Sequence, residues 1–264
     1  MIITSWVDKM LKTNVIYNYD CLVGLKDIED GSIDLIVTDP PYLINYHSDR
    51  IDSSHRFCNP IVNDDNENII VDIMPELYRV LKDNSAMYMF CSPKTIDFFM
   101  TEIKKYFNIK NLIIWVKDSG TVGDCLAGYA VQYEICIYAN KGRKFINGKR
   151  LTDVWTNEKI PGLKRVLGHQ QLHQNQKPLE LIKLMIEKSS SMGELVLDPF
   201  MGSATTAVAA RELGRDYVGY EIDPYYYKIS LQRLEGIEPS GQTSMFTDFD
   251  SINKRISSAG MQTE

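Results

Sequence analysis

Short apolar runs alternate with helical patterns along most of this chain, and that alternation is the tightest constraint on its fold. "VIYNYDCL", "DLIVTDP", "SAMYMFCS", "IKNLIIWVK", "QYEICIYANKG", "ELVLDPF" and "RDYVGYEID" read as strands. Between them lie helical patterns. "VGLKDIEDG" is a short one, and "IIVDIMPELYRVLKDN" repeats apolar residues at Ile70, Ile73, Met74, Leu77, Val80 and Leu81. "TIDFFMTEIKKYF", "LELIKLMIEKSS", "ATTAVAARELG" and "PYYYKISLQRLEG" follow, with Pro178 placed near a first turn. Such alternation predicts an α/β fold: a mostly parallel sheet with helices on both faces. One domain over residues 1–236 is expected, with a long polar loop at 43–68 and an insertion at 141–176 where the rhythm is lost. A polar, patternless tail covers 237–264.

Two of the strands end in Asp-Pro. In "DLIVTDPPY" the ladder is stopped by Pro40 and Pro41, which have no N–H to give it. Asp39 and Tyr42 are left at the carboxyl edge, where open α/β sheets hold their ligands. In "ELVLDPFMGSATT" the strand ends at Asp198, Pro199 and Phe200. Gly202 then allows a tight turn, Ser203 and Ala204 keep the approach open, and a helix N-terminus with unpaired N–H groups begins near Thr205. Glu221 ends the next strand 19 residues after Gly202, the spacing at which an acid grips ribose hydroxyls in nucleotide-binding folds. The loop lacks the "GKS" or "GKT" ending of a phosphate-binding NTPase loop, which disfavours ATP hydrolysis.

Bulk properties narrow the classes. Hydrophobic residues make up 44% and charged residues 24%, as in ordinary globular proteins. No run of about 18 apolar residues marks a membrane span, and the start lacks the apolar core of a secretory signal. Five scattered cysteines without a C-x-x-C pair read as free thiols, consistent with a reducing cytoplasm. His169 and His173 stand four apart but no third ligand accompanies them, so no metal is expected. Net charge is −6, yet between Lys141 and Lys188 eleven bases oppose four acids, a local +7. Charge alone allows either a solvated face or a nucleic-acid surface there.

The combination of "TDPPY" with "DPFMGSATT" resembles the amino-group DNA methyltransferases that use S-adenosylmethionine. The catalytic motif precedes the cofactor loop, as in the beta class of that family. "YNYDCLVGLKDIEDGSIDLIVTDPPY" and "QNQKPLELIKLMI" resemble further family segments, and the likeness runs over roughly residues 14 to 235. It implies a class I methyltransferase fold and assigns Asp39, Pro40, Pro41 and Tyr42 to catalysis. Cofactor binding falls to Asp20, Cys21, Lys177, Asp198, Pro199, Phe200, Gly202, Ser203, Ala204, Thr205, Glu221 and Ile222. Asp20 would face the cofactor adenine, and Lys177, with Pro178 and Leu179 after it, its methionine end. The second glycine usual in the loop is here Ala204, whose methyl would narrow the adenosine pocket.

The chemistry fits the residues. An exocyclic amino group is a poor nucleophile because its lone pair is delocalised into the base. Acceptors aimed at its two N–H bonds localise that pair; Asp39 supplies one and the carbonyl of Pro40 the other, on a turn that the prolines stiffen. Positive charge developing on nitrogen is stabilised by the same groups. Tyr42 would stack on a base flipped out of the duplex. The resemblance implies double-stranded DNA as partner. Its face would be the basic 141–176 segment, with Arg143, Lys144, Lys149, Arg150, Lys164 and Arg165 on phosphates, and the 43–68 loop closing over the base. So short a segment implies a small footprint or help from a second subunit. A partnering restriction endonuclease is a further implied association. Asp39 favours adenine N6 over cytosine N4, since serine is more usual in the cytosine enzymes. RNA or protein amides are other acceptors, and a non-catalytic, cofactor-sensing DNA-binding protein is an alternative of a different class.

Overall fold

The computed structural model describes residues 12–44, 62–118, 120, 127–160 and 176–236. Eight strands among them form one sheet: β1 (Val15–Tyr17), β2 (Ile33–Thr38), β3 (Leu81–Cys91), β4 (Asn108–Val116), β5 (Tyr133–Lys141), β6 (Val154–Trp155), β7 (Leu195–Asp198) and β8 (Asp216–Tyr220). Their order is β1-β8-β7-β2-β3-β5-β4-β6. The run from β1 to β3 is parallel, β5 is antiparallel to both its neighbours, and β6 is parallel to β4. This is the expected mostly parallel sheet.

Helices cover both faces. On one lie α1 (Cys21–Gly24), α2 (Asn68–Val80) and α3 (Ile96–Lys104), packed on alternate strand residues such as Ile36, Met87 and Ile137. On the other lie α4 (Leu179–Ser189) and α5 (Thr205–Glu212), with side chains of α6 (Pro224–Leu234) packed at its margin, against Leu35, Val37, Tyr88 and Tyr138. Every residue of β2 is buried, as required of a strand covered on both sides. Complete burial of one such aliphatic side chain contributes about 1.5–3 kcal/mol.

Element boundaries differ in places from the sequence pattern. The strand read through Leu22 ends at Tyr17, and Cys21 already opens α1 behind its Asp20 cap. The periodicity carries α2 through Leu81, but the helix ends at Val80 and Leu81 already pairs with Ile33. Lys82 is drawn back to the sheet by Asp34 of β2 at 2.6 Å, and Asn84 takes a left-handed turn, φ 59°, that no helix continues through.

Candidate active site

β2 delivers Asp39 to the carboxyl edge. Pro40 and Pro41 are buried behind it, and both carboxylate oxygens of Asp39 are engaged. The Tyr42 hydroxyl donates to Oδ1 at 2.6 Å and Lys177 Nζ to Oδ2 at 2.5 Å. The turn after the motif is clamped from two sides. Thr95 Oγ1 donates to the Tyr42 carbonyl at 2.8 Å, and Asp64 accepts the Leu43 N–H at 2.9 Å. Leu43 is held at φ 59°, a conformation that costs a non-glycine residue about 1–3 kcal/mol and persists only where neighbours enforce it.

Lys177 is shared. Its ammonium also lies 3.2 Å from Glu134 Oε2, while Lys117 Nζ lies 2.5 Å from Glu134 Oε1. The Tyr42 hydroxyl is 3.4 Å from the same Glu134 Oε2. The rings of Phe90 and Tyr42 face the Lys177 ammonium at 4.9 and 5.4 Å. Burial pushes the Asp39 carboxyl up; Lys177 opposes that rise and the Glu134 charge adds to it. Burial raises Glu134 too, but the two lysines outweigh it and hold its carboxyl at about 2. For Lys177, burial works against the charge, and Asp39 with Glu134 more than restores it.

The second Asp-Pro end is adjacent, because β7 pairs with β2 through Leu35 with Val196 and Ile36 with Leu197. Asp198 is buried and takes three internal donors: Thr38 Oγ1 at 3.0 Å, Thr206 Oγ1 at 2.7 Å and the Phe200 N–H at 3.1 Å. Burial still pushes its carboxyl up to about 6. Asp198 therefore shapes the loop and ties it to β2. Glu221 accepts the Gly202 N–H at 2.7 Å and the Asp223 N–H at 2.8 Å, and burial raises its carboxyl to about 7. Gly219 lets the loop lie on β8: a Cβ there would stand 2.8 Å from the Asp198 carbonyl. Arg233 of α6 reaches back to Ser203 and, at 3.2 Å, to Thr205 Oγ1.

Ala204 stands at φ 63° as the cap of α5 and is fully buried. Its methyl packs in the core under α5. The left-handed backbone explains why glycine suits this position.

The remaining cofactor candidates share the edge. Asp20 caps α1 by accepting the Leu22 N–H at 2.8 Å. Cys21 is buried and its thiol is pushed up to about 12 by that burial. Ile222 is exposed after β8, and Pro199 is buried beside a half-buried Phe200. Asp20 and Glu221 follow adjacent strand ends, because β1 pairs with β8 and the Glu221 N–H bonds the Tyr17 carbonyl.

The described basic candidates do not join this edge. β5 runs antiparallel to β3, pairing Cys91 with Ile135 at one end and Ser85 with Lys141 at the other. Arg143 and Lys144 therefore leave the sheet at its amino edge, roughly 25 Å along the strand from Glu134. Lys149 stays there, its carbonyl bound at 2.8 Å by Lys188 at the end of α4, and Arg150 follows. Among the described residues the chain returns to the carboxyl edge through β6, which pairs beside Ile114 and Trp115. Lys164 and Arg165 lie outside the described residues, as do 45–61 of the expected closing loop and the tail 237–264. His169 and His173 lie outside them too.

Residues 33–232 match the family model described as DNA methylase, for the N6 and N4 amino-group enzymes. The chain belongs to the N6/N4 DNA methylase family. It is 30% identical over 256 residues to the DNA adenine methyltransferase YhdJ of Escherichia coli, covering 85% of this chain and 83% of that one. It is 28% identical to the type II methyltransferase M.HpaI of Haemophilus parainfluenzae, over 90% of this chain and 76% of the relative. The crystal structure of M1.HpyAVI superposes with a TM-score of 0.61 at 25% identity, over 83% of this chain and 97% of that one. The PvuII cytosine-N4-specific enzyme shares the fold, with a TM-score of 0.67 at 15% identity, over 94% of this chain and 91% of that one.

In this methylase the sequence reading missed Glu134 and Lys117. Each is a charged residue at the end of an apolar strand pattern, in "QYEICIYANKG" and "IIWVK". The only local signal was the cost of burying either charge alone, which demands a partner that the sequence does not reveal.

Proposed function

We propose that this methylase moves a methyl group from S-adenosylmethionine to the N6 amino group of adenine in double-stranded DNA. The observation that carries the reading is the Asp39 carboxylate. It stands at the sheet edge, fixed through both oxygens, one strand away from the Asp198–Glu221 loop. The 30% identity to a DNA adenine methyltransferase supports adenine as the base.

The cofactor site fits its group. Glu221 spends one lone pair of each oxygen on the Gly202 and Asp223 N–H groups, and a carboxylate offers about four acceptor positions. Two remain for ribose hydroxyls. Gly202 sits at φ 54°, a turn that brings backbone rather than side chain toward the ligand. A structure of M1.HpyAVI with S-adenosylmethionine shares this fold, with a TM-score of 0.58. When bound, the cofactor supplies an electrophilic methyl group.

The chain's own residues do the rest. Asp39 accepts one N–H of the target amino group, and the Pro40 carbonyl accepts the other. Both stabilise the positive charge that develops on nitrogen. Tyr42 holds Asp39 through its hydroxyl and offers its ring to a flipped base. The DNA face of this reading is the carboxyl edge, where Lys94 lies exposed after β3 and Lys159 after β6. Arg143, Lys144, Lys149 and Arg150 face away from it.

The test is incubation with methyl-labelled cofactor and unmethylated duplex DNA, followed by nucleoside analysis. N6-methyladenine is expected. Label in N4-methylcytosine would overturn the adenine assignment, and no transfer to either base would overturn the activity.

A further inference from the structure

We propose that Glu134 is a positioning residue for methyl transfer, holding Lys177 from β5, two strands from β2, so that Asp39 keeps an acceptor open to the amino group. The inference rests on the methyl-transfer reading above. Lys177 and Lys117 have side chains only 6% and 9% exposed, and both meet Glu134. The group is therefore balanced, two buried cations against the carboxylates of Asp39 and Glu134. Lys177 is 2.5 Å from Asp39 and 3.2 Å from Glu134, so its place is set by competition between the two. Without the Glu134 charge the ammonium belongs to Asp39 alone. It then loses the second carboxylate that fixes its direction of approach, and can swing about Oδ2, which it already touches at 2.5 Å, onto the lone pair that the amino N–H needs.

The titratable and charged groups around this cluster come from six places. Asp39 and Tyr42 follow β2, Cys91 ends β3, Lys117 follows β4, Cys136 lies in β5, Lys177 precedes α4 and Asp198 ends β7. The negative charge of Glu134 favours the protonated forms of both Asp39 and Lys177. Its removal must therefore lower the pH at which each titrates. Removing the Lys117 charge acts in the opposite sense on both.

The experiment measures kcat against pH for methyl transfer to unmethylated genomic DNA, using the full chain as wild type, Glu134→Gln, Glu134→Asp and Lys117→Met. Glu134→Gln is expected to lower kcat by about tenfold or more with cofactor KM within about threefold, and to move both limbs of the profile toward acid. Glu134→Asp keeps the charge and should recover most of the lost rate. Lys117→Met should move both limbs toward alkaline pH. Unmoved limbs in Glu134→Gln, or a loss in Glu134→Asp as large as in Glu134→Gln, would overturn the role. If Glu134→Gln does not fold, an unshifted profile in Lys117→Met overturns it equally. Absence of transfer by the wild type on the same DNA would instead fail the methyl-transfer reading itself.

Discussion

Lys177 Nζ stands 2.5 Å from Asp39 Oδ2 across 138 residues of sequence. The pair joins the turn after β2 to the start of α4, and it decides what Asp39 can be. Burial alone would favour a neutral carboxyl, which cannot accept through both oxygens. The buried ammonium supports the ionised form that the chemistry needs.

Replacing Asp39 by alanine is expected to lower turnover by roughly 10²–10³, as for loss of one transition-state acceptor. Cofactor affinity should stay within about threefold if, as proposed, Asp39 acts on the base. Single-turnover transfer and calorimetric titration of the cofactor separate these effects. Retention of more than a tenth of wild-type turnover would remove Asp39 from its role.

Glu221 gives cofactor affinity a pH dependence. Its carboxyl titrates at about 7 in the free protein, and ribose hydroxyls donate to the ionised form. Binding then releases a proton, so affinity is full above neutrality and falls as pH drops below about 7, by up to about tenfold per unit. Glu221→Gln should bind weakly with that dependence gone. Calorimetry at pH 6 and pH 8 checks both statements, and equal affinities in the wild type would contradict them.

The DNA face can be located by salt. Neutralising one lysine that touches a phosphate should reduce the slope of log affinity against log salt by about one. Lys94→Ala with Lys159→Ala should flatten the slope, while Lys149→Ala with Arg150→Ala, at the amino edge, should leave it unchanged. The reverse result would move the DNA to the far side of the sheet.

Asp198 is expected to matter for stability before binding. Asp198→Ala leaves the donors of Thr38, Thr206 and Phe200 without their acceptor, and a single orphaned buried group costs about 1–3 kcal/mol. Asp198→Asn keeps an acceptor oxygen and should lose much less. Urea unfolding of the two variants tests this ordering; equal stabilities would contradict it.

Most strands and helices and both Asp-Pro ends were legible because their signals are local; the two-residue β6, inside the segment without rhythm, was not. An apolar run followed by proline is read within ten residues, and Gly202 with Glu221 within twenty. Pairing across the sheet is not written locally. Nothing in "QYEICIYANKG" says that Glu134 meets Lys177, or that the strand runs against its neighbour. That one reversal sends Arg143 to Arg150 to the edge away from Asp39. Charge counting placed the bases correctly in sequence, but direction is a property of the sheet.

The pairing of β1 with β8 brings the first and last strands of the sheet, in chain order, side by side. Asn14 N–H bonds the Tyr217 carbonyl, and Asn14 Nδ2 reaches Asp216 at 2.7 Å. The half that carries Asp39 and the half that carries Glu221 already touch through β2 and β7, and β1 needs only a place beside β8. The order of the halves along the backbone is thus free of the geometry that makes the site. A chain opened between Ile160 and Gln176 and joined from Gly236 to Thr13 would present the same strands to the same neighbours. Circular permutation would rewrite the order of the motifs and leave the two acids where they are.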